Sequence, residues 1–328
     1  MVIAVDAVGG DHFPENPISG GVMALEENNS LEIVFVGPID LIKKELEKHS
    51  YDHNRVDILD APEIVSMDDP SSAPVKSKPH SSINLGIKAL KSGSVNGFIS
   101  AGNTGALLTA STLFLGKLEG VIRPTIAAIF PTVNGVRLLV DAGANLELKP
   151  EMYFQFAKMG SIYAKEILGI ENPKVGLLNI GSEPEKGCEI HKDSFKELQK
   201  LSNFAGNIEG KDILSGKADV FVTDGFTGNI LLKFGESVPQ ALEHLFENAI
   251  KEMDLEKEIR NHILQVLKKA VHTFDYQHVG GVPFLGVDGV SLVGHGGSTP
   301  LAIKNMIVNA AHCVESRLNE KIVTSLNI

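Results

Sequence analysis

Short apolar runs alternate with longer amphipathic stretches along most of the chain. Eight runs of three or four residues suit buried strands, although periodicity alone does not exclude helix in such short runs; they are Val2–Val5, Ile33–Val36, Gly97–Ile99, Ala127–Phe130, Leu138–Val140, Val175–Leu178, Val220–Val222 and Ser291–Val293. Stretches of helical length and spacing lie between them and include Leu41–His49, Ser82–Lys91, Gly105–Leu118, Glu151–Leu168 and Asp193–Leu201. This alternation predicts an α/β fold, in which a largely parallel sheet has helices on both faces.

Six of the predicted strands lead directly into loops rich in Gly, Asp and Asn. The loops are DAVGGD (6–11), SAGNTG (100–105), DAGAN (141–145), NIGSEPEKG (179–187), TDGFTGN (223–229) and GHGGS (294–298). Ligands of open α/β sheets bind outside the carboxyl ends of the strands. If the six strands are parallel, their loops gather at one edge and line one cleft. Gly and Asn are also ordinary turn residues, but six such loops in one chain favour a site.

The chain has no clear linker, low-complexity segment or short repeat, so we expect residues 1–328 to form a single domain. Its most distinct part is a helical excursion at about 240–276, which is poor in glycine and carries a face rich in Lys and Glu. We interpret this segment as one or two helices that protrude from the main body.

Composition narrows the class of protein. The 328 residues carry 41 acidic and 30 basic side chains, a formal charge of −11, which disfavours non-specific nucleic-acid binding. Cys188 and Cys313 are too few for a disulfide framework or a zinc site. The beginning of the chain lacks a signal-peptide pattern, and no apolar run approaches the roughly 20 residues of a membrane span. We expect a cytoplasmic protein.

Several common catalytic motifs are absent from the sequence. There is no GxxxxGK[ST], no GxGxxG after the first strand, no GxSxG and no HExxH. P-loop enzymes, dinucleotide-binding enzymes, serine hydrolases of the simplest kind and zincins are therefore disfavoured. We predict neither a cofactor nor a metal site.

The glycine loops instead offer backbone N–H groups, which bind anions at helix starts and nests. SAGNTG is the best phosphate candidate, although Asn103 and Thr104 also suit N-capping. Lys186 is a candidate cation whose alternative is a solvated surface lysine. Asn229 has the alternative of a turn or cap residue, and His295 is as compatible with ordering its loop as with proton transfer.

At these loops the sequence resembles the bacterial phosphate acyltransferases over essentially its whole length. The resemblance is carried by DAVGGD, SAGNTGALLTA, Arg123-Pro124, DAGAN, VGLLNIGSEPEKG, GNIEGKDI, VTDGFTGNILLK and GGVPFLGVDG, followed by HG. It implies an α/β/α sandwich like that of phosphotransacetylases and isopropylmalate-type dehydrogenases, and a homodimer. It also implies transfer of a fatty acyl group from acyl carrier protein to inorganic phosphate. The acyl phosphate would serve phospholipid synthesis through a membrane acyltransferase that acylates glycerol 3-phosphate.

The family's motifs match this chain at the residues expected to act on substrate. Lys186 and Asn229 are the catalytic candidates that the resemblance implies. The expected substrate-binding residues are Gly9, Gly10, Asp11, Asn103, Thr104, Gly105, Asn145, Asn179, Gly181, Asp224, Thr227 and His295. The sequence departs from the family at Val8 and Gly297, and its basic stretch is reduced to Lys76, Lys78 and His80.

Attack of phosphate on a thioester needs neither a strong base nor a covalent nucleophile, because the thiolate leaves readily. Carrier protein is acidic, so its docking requires a local cationic face. The candidates are Lys251, Lys257, Arg260, Lys268 and Lys269, and the alternative is that they form a solvated helix face.

Peripheral membrane contact is a further expectation, but residues 254–262 are strongly polar. An acyl-CoA phosphotransacetylase, an isopropylmalate-type dehydrogenase and a non-catalytic scaffold remain alternatives.

Overall fold

A computed structural model describes residues 1–253, 255–271 and 280–327 of the chain. The eight predicted strands are confirmed, and three more are present, at 56–60, 204–208 and 282–285. The strands are β1 (Val2–Asp6), β2 (Glu32–Gly37), β3 (Val56–Asp60), β4 (Gly97–Ser100), β5 (Thr125–Thr132), β6 (Gly135–Val140), β7 (Val175–Leu178), β8 (Phe204–Ile208), β9 (Val220–Val222), β10 (Val282–Leu285) and β11 (Val290–Val293).

Each of the five stretches predicted as helical contains a helix, and the one at 82–91 matches its prediction to the residue; further helices lie outside these stretches. They are α1 (Glu15–Glu27), α2 (Ile39–Leu46), α3 (Ala73–Ser77), α4 (Ser82–Lys91), α5 (Thr104–Ala110), α6 (Pro150–Glu166), α7 (Glu189–Leu198), α8 (Gly210–Ile213), α9 (Gly225–Glu252), α10 (Lys257–Val271), α11 (Pro300–Glu315) and α12 (Leu318–Leu326). A π-helical turn, Ser111–Leu115, continues α5. The helical excursion at 240–276 includes the end of α9 and the whole of α10, while residues 254 and 272–276 lie outside the described residues.

The described strands form one 11-stranded sheet in the order β3-β2-β1-β4-β11-β10-β5-β6-β9-β7-β8. The strands β1, β2, β3, β4 and β11 are parallel to one another, as are β6, β7, β8 and β9. Three antiparallel pairings, β11 with β10, β10 with β5 and β5 with β6, separate the two groups. The prediction of a largely parallel sheet is confirmed, but the two groups run in opposite directions, so the six loop-bearing strands are not all parallel.

The two halves of the sheet are staggered, and this stagger still brings their carboxyl ends together. Val293, at the end of β11, pairs with Val282. Two residues further along β10, Phe284 pairs with Ile126, which places Val282 level with residue 128 of β5. Val140, at the end of β6, pairs with residue 127. The loops that follow both groups of strands thus reach the middle of β5 from opposite directions.

Helices cover both faces of the sheet, as an α/β/α sandwich requires. In β1, Ile3 and Val5 pack into a core that includes residues of α1 and α11, whereas Ala4 packs into a core with residues of α4 and α5. This alternation follows from the period of two along a strand. In the other half of the sheet, α6 contributes to the largest core cluster, and a smaller cluster around Phe221 covers the opposite face.

Candidate active site

A buried carboxylate ties the first two glycine loops together. Asp6, at the end of β1, accepts hydrogen bonds from Ser100 Oγ at 2.6 Å and from the Val8 N–H at 3.1 Å. Ser100 Oγ in turn accepts from the Gly102 N–H at 3.0 Å. Burial raises the pKa of Asp6, while these hydrogen bonds oppose the rise. Only glycine fits at position 9, because a Cβ there would lie 2.7 Å from Asp6 Oδ2.

The GHGGS loop, which follows β11, packs against the DAVGGD loop. The Asp11 N–H donates to the Gly296 carbonyl at 2.8 Å. Gly10 has a φ of +98°, and a Cβ at this position would lie 2.9 Å from the same carbonyl. Nδ1 of His295 accepts from the Gly297 N–H at 3.1 Å, so this side chain orders its own loop.

Asn103 holds the start of α5 against the segment 66–69. Its Oδ1 accepts from the Ala106 N–H at 3.0 Å, which caps α5, and its Nδ2 donates to three carbonyls of that segment. Asn103 is 7% exposed, and these partners occupy both ends of its amide. The capping interpretation of Asn103 is therefore confirmed, and Thr104 and Gly105 form the first turn of the helix.

A second buried carboxylate, that of Asp141 at the end of β6, organises the DAGAN loop. This fully buried carboxylate accepts from the backbone N–H groups of Gly143, Ala144 and Asn145, at 3.1, 3.0 and 2.7 Å. The Asn145 side chain donates to Asp141 as well, at 2.8 Å. Burial raises the pKa of Asp141, and hydrogen bonds from Ala144, Asn145 and Ile126 oppose the rise. Asp141 thus shapes the DAGAN loop.

The start of α9 lies directly on the DAGAN loop. Asp224 caps the helix by accepting from the Thr227 N–H at 2.8 Å and from the Thr227 hydroxyl at 2.9 Å. A Cβ at Gly228 would lie 1.8 Å from the Asp141 carbonyl oxygen, so only glycine permits this approach. The next residue, Asn229, is exposed.

One cavity of about 570 Å³ lies where the loops meet. Five of the six loops contribute to its lining, through residues that include Asp11, Gly105, Gly143, Asn229 and Gly294. Of the residues expected to act on substrate, those that line the cavity are Asp11, Thr104, Gly105, Asn229 and His295.

The other predicted site residues lie behind or beside this lining. Gly9, Gly10, Asn103 and Asn145 hold the loops in place, and Asp224 and Thr227 form the cap of α9. Among the described residues that line the cavity, none belongs to NIGSEPEKG, so the structure does not bring Asn179, Gly181 or Lys186 into it.

The NIGSEPEKG loop is held by amide side chains. Nδ2 of Asn179 donates to the Lys186 carbonyl at 3.1 Å, and Nδ2 of Asn207 donates to the Glu183 carbonyl at 2.8 Å. A Cβ at Gly181 would lie 2.9 Å from Lys186 Cγ. The Lys186 side chain is 45% exposed, and its Nζ lies 4.0 Å from Glu183 Oε1, which is too far for a hydrogen bond.

This loop nevertheless lies beside the start of α9. It follows β7, which pairs directly with β9, the strand that leads into Asp224. Burial raises the pKa of Tyr153, and the nearby Asp224 and Cys188 raise it further. Both groups therefore lie within electrostatic reach of one tyrosine.

Comparison with known proteins identifies the family. The family described as fatty acid synthesis protein matches residues 1–321. The phosphate acyltransferase of Chlorobaculum parvum is 44% identical over 338 residues, which cover 100% of this chain and 99% of the relative. That of Halothermothrix orenii is 41% identical over 330 residues, with coverage of 100% and 99%. The chain belongs to the phosphate acyltransferase family.

Solved structures with the same fold include two phosphotransacetylases. A phosphotransacetylase from Streptococcus pyogenes aligns with a TM-score of 0.63 at 15% identity and covers 96% of this chain and 94% of that one. The EutD phosphotransacetylase from Staphylococcus aureus gives 0.61 at 13% identity, with coverage of 95% and 94%. At such identities the likeness concerns the fold alone, and it confirms the predicted fold class.

This phosphate acyltransferase also has cavity residues that the sequence analysis missed. Phe130, Leu232, Lys233 and Glu236 line the cavity but belong to a strand and a helix interior, where glycine-loop signals are absent. The Lys233 ammonium and the Glu236 carboxylate are 2.8 Å apart, so they form an ion pair at the wall.

Within the basic stretch formed by Lys76, Lys78 and His80, Lys78 has a structural role. Lys78 pairs with Asp69 and also donates to the Ile64 carbonyl at 2.9 Å. It therefore fixes the segment that Asn103 holds.

The five docking candidates (Lys251, Lys257, Arg260, Lys268 and Lys269) all lie exposed at the end of α9 or on α10.

Proposed function

We propose that this phosphate acyltransferase transfers a fatty acyl group from the thioester of acyl carrier protein to inorganic phosphate. A phosphate oxygen attacks the thioester carbonyl, the carbon–sulfur bond breaks, and the carrier protein leaves as a thiolate. The products are an acyl phosphate and free carrier protein. The observation that carries the proposal is the cavity, whose glycine loops offer an anion site beside an apolar wall.

The loops supply what the reaction requires. Phosphate is already anionic at neutral pH, so catalysis consists of positioning the reactants and stabilising the oxyanion. Gly102, Thr104 and Gly105 line the cavity at the start of α5, where helical N–H groups have no partner within the helix. Asn229 lines the same cavity, and in our proposal its amide N–H donates to the carbonyl oxygen.

Lys186 is the second catalytic candidate, and in our proposal it offsets the charge of phosphate and of the oxyanion. Its loop neighbours the start of α9, and its ammonium is not held in a hydrogen bond by Glu183. The proposal therefore requires the exposed side chain of Lys186 to reach toward Asn229 when the substrates bind.

The cavity is large enough to accept a long acyl group. A volume of about 570 Å³ is typical of sites for ligands of drug size. It far exceeds the needs of an acetyl group, although the fold is shared with phosphotransacetylases.

The proposed acyl donor is tested by following phosphate-dependent release of thiol from palmitoyl-carrier protein, palmitoyl-CoA and acetyl-CoA. We expect efficient turnover with the carrier protein, measured as kcat/KM. Turnover of acetyl-CoA alone would overturn the long-chain donor and make the chain a phosphotransacetylase.

We further propose that the cationic residues of α9 and α10 dock the acidic carrier protein. Charge complementarity at a docking face affects the association rate and its salt dependence. Changing both Lys268 and Lys269 to Glu should raise KM for the carrier-protein substrate and leave KM for phosphate unchanged. The control with the same charge change replaces both Lys196 and Lys200 with Glu, at exposed positions in and just after α7. Equal effects of the two changes would contradict docking at α10.

The biological setting belongs to the same proposal. Acyl phosphate would pass to a membrane enzyme that acylates glycerol 3-phosphate, with the protein as a homodimer that contacts the membrane peripherally. Among the described residues, no helix has both the length and the apolarity needed to cross a bilayer. Sedimentation of the purified chain with vesicles of anionic phospholipid tests the membrane contact, and recovery only in the supernatant would refute it.

A further inference from the structure

Lys233 brings a positive charge to the wall of the cavity. Within the part of the lining that the structure describes, its side chain is the only ammonium or guanidinium group, whereas Asp11 and Glu236 each bring a carboxylate. Two carboxylates against one ammonium leave an excess of one negative charge, with His295 counted as neutral. Because like charges repel, an anion that enters this cavity requires the cation to lie beside it.

Lys233 lies next to Asn229 on α9. It follows Asn229 by four residues, so the two side chains occupy neighbouring positions on one face of the helix, with Cβ atoms about 5–6 Å apart. Both residues line the cavity. The DAGAN loop approaches the same point, since a Cβ at Gly143 would lie 3.5 Å from the Cβ of Asn229. A group bound at Asn229 is therefore within reach of the flexible four-carbon side chain of Lys233.

The ammonium of Lys233 is free to take a further partner. It donates to Glu236 Oε2 at 2.8 Å, and the Lys233 and Glu236 side chains are 57% and 28% exposed. Such exposed ion pairs contribute little to stability. An ammonium has three N–H donors, so Lys233 can bind an oxygen anion while it remains paired. The carboxylate of Glu236 meanwhile offsets part of the charge that the anion meets.

We propose that Lys233 is a phosphate-binding residue, which holds inorganic phosphate beside Asn229. This inference rests on the proposed function, because it takes the cavity as the place where phosphate attacks the thioester carbonyl. Reacting atoms in such a complex lie about 3–3.5 Å apart, so the phosphate must lie next to the carbonyl that Asn229 binds. Lys186 reaches the site when the substrates bind, whereas Lys233 already lines the cavity and meets the phosphate first.

The first test measures kcat and the KM of each substrate in Lys233→Gln and Lys233→Arg, with palmitoyl-carrier protein as the acyl donor. Loss of a hydrogen bond from a charged group should raise KM for phosphate in Lys233→Gln by about 10- to 100-fold. KM for palmitoyl-carrier protein should be unchanged. Lys233→Arg keeps the positive charge and the donors, so its KM for phosphate should lie close to the wild-type value.

Glu236→Gln provides a variant with the opposite sign. It removes the negative charge beside the ammonium, so KM for phosphate should fall by about two- to fivefold, the scale of an exposed charge pair. Lys196→Gln is the matched control, because Lys196 forms an ion pair of the same length and spacing with Asp193 on α7, outside the described cavity lining. Its kinetic constants should match those of the wild type.

A binding measurement tests the inference without carrier protein. Inorganic phosphate at constant ionic strength should raise the melting temperature of the wild type as its site fills. Phosphate also stabilises proteins generally, through exclusion from their surfaces, and this general part should be the same in every variant. Lys233→Gln should need about 10- to 100-fold more phosphate than Lys196→Gln for the same site-specific increase.

The outcomes separate the inference from the proposed function. A raised KM for phosphate in Lys233→Gln, recovered in Lys233→Arg and lowered in Glu236→Gln, supports the role of Lys233. A folded Lys233→Gln variant with wild-type KM for phosphate and the melting response of Lys196→Gln would overturn that role alone. If Lys233→Gln does not fold, an unchanged KM for phosphate in Glu236→Gln would overturn it. A wild type that shows the Lys233-dependent melting response but cleaves no palmitoyl-carrier protein would overturn the proposed function and leave the phosphate site in place.

Discussion

Replacing Gly228 with alanine tests how the site is assembled. The new Cβ would lie 1.8 Å from the carbonyl oxygen of Asp141, about 1.6 Å closer than ordinary van der Waals contact. Either the start of α9 or the DAGAN loop must therefore move by more than an ångström. Both elements line the cavity, and Asn229 is the next residue of α9.

Overpacking of this kind costs about 1–3 kcal/mol of unfolding free energy. A displacement of 1 Å in reacting groups lowers the rate on the order of 100-fold. We therefore expect Gly228→Ala to fold with a lowered melting temperature and to lose about 100-fold in kcat/KM for phosphate-dependent thioester cleavage.

Gly210→Ala is the matched control for this change. Gly210 is the first residue of α8, and no atom lies within 4 Å of a Cβ placed there. Its kcat/KM should be unchanged, and its stability should be equal or higher by about 0.4–1 kcal/mol. Wild-type kcat/KM in a folded Gly228→Ala variant would refute the assigned role of this contact.

Three further predictions concern single side chains. Lys186→Ala should lower kcat on the order of 100- to 1000-fold in the steady-state assay, and near-normal turnover by folded protein would remove Lys186 from the mechanism. The hydrogen bond from Lys78 lowers the pKa of Asp69 below 3.8, so this carboxylate stabilises the fold above that pH and stops doing so as pH falls through its folded-state pKa. The melting temperature of Asp69→Asn should therefore lie below that of the wild type at pH 7, with the difference closing in acid; a constant difference would contradict this. Burial raises the pKa of Cys313 to about 12, whereas Cys188 is exposed, so a thiol reagent should label Cys188 alone in the native protein and both after denaturation, as mass spectrometry would show.

The sequence predicted the strands that contain a run of mostly apolar residues and missed those whose runs are interrupted. The runs at 2–5 and 220–222 are central strands and were evident. At the two edges of the sheet, β3 (VDILD) carries charged residues and β8 (FAGNI) contains a glycine, so neither forms an apolar run. β10 (VPFL) contains a proline, which is uncommon inside sheets.

The reversal of strand direction was missed, although a local signal for it exists. Only residues 133 and 134 connect β5 to β6, and the dipeptide Asn134-Gly135 is typical of tight hairpins. Gly135 has a φ of +94°, the left-handed conformation that follows a type I turn in many short hairpins. An antiparallel pair at this point could therefore have been predicted, whereas the stagger that reunites the loops depends on long-range pairing.

The candidate site was predicted in part for a similar reason. Glycine loops after strands are a local signal, and five of the six line one cavity. The apolar wall gave no local signal, since Phe130 and Leu232 resemble any core residues until β5 and α9 are packed together. The approach of Lys186 to Asn229 likewise depends on the position of the NIGSEPEKG loop, which the neighbouring residues in the sequence do not determine.

The central claim is the identity of the product, and ³¹P NMR of a reaction between palmitoyl-carrier protein and inorganic phosphate tests it most directly. We predict an acyl-phosphate resonance that grows at the same rate as carrier-protein thiol is released, with one molecule of acyl phosphate formed for each thiol. The resonance should disappear when hydroxylamine traps the acyl group. Thiol release accompanied only by free palmitate, with no acyl-phosphate signal at any time, would contradict the proposed transfer to phosphate.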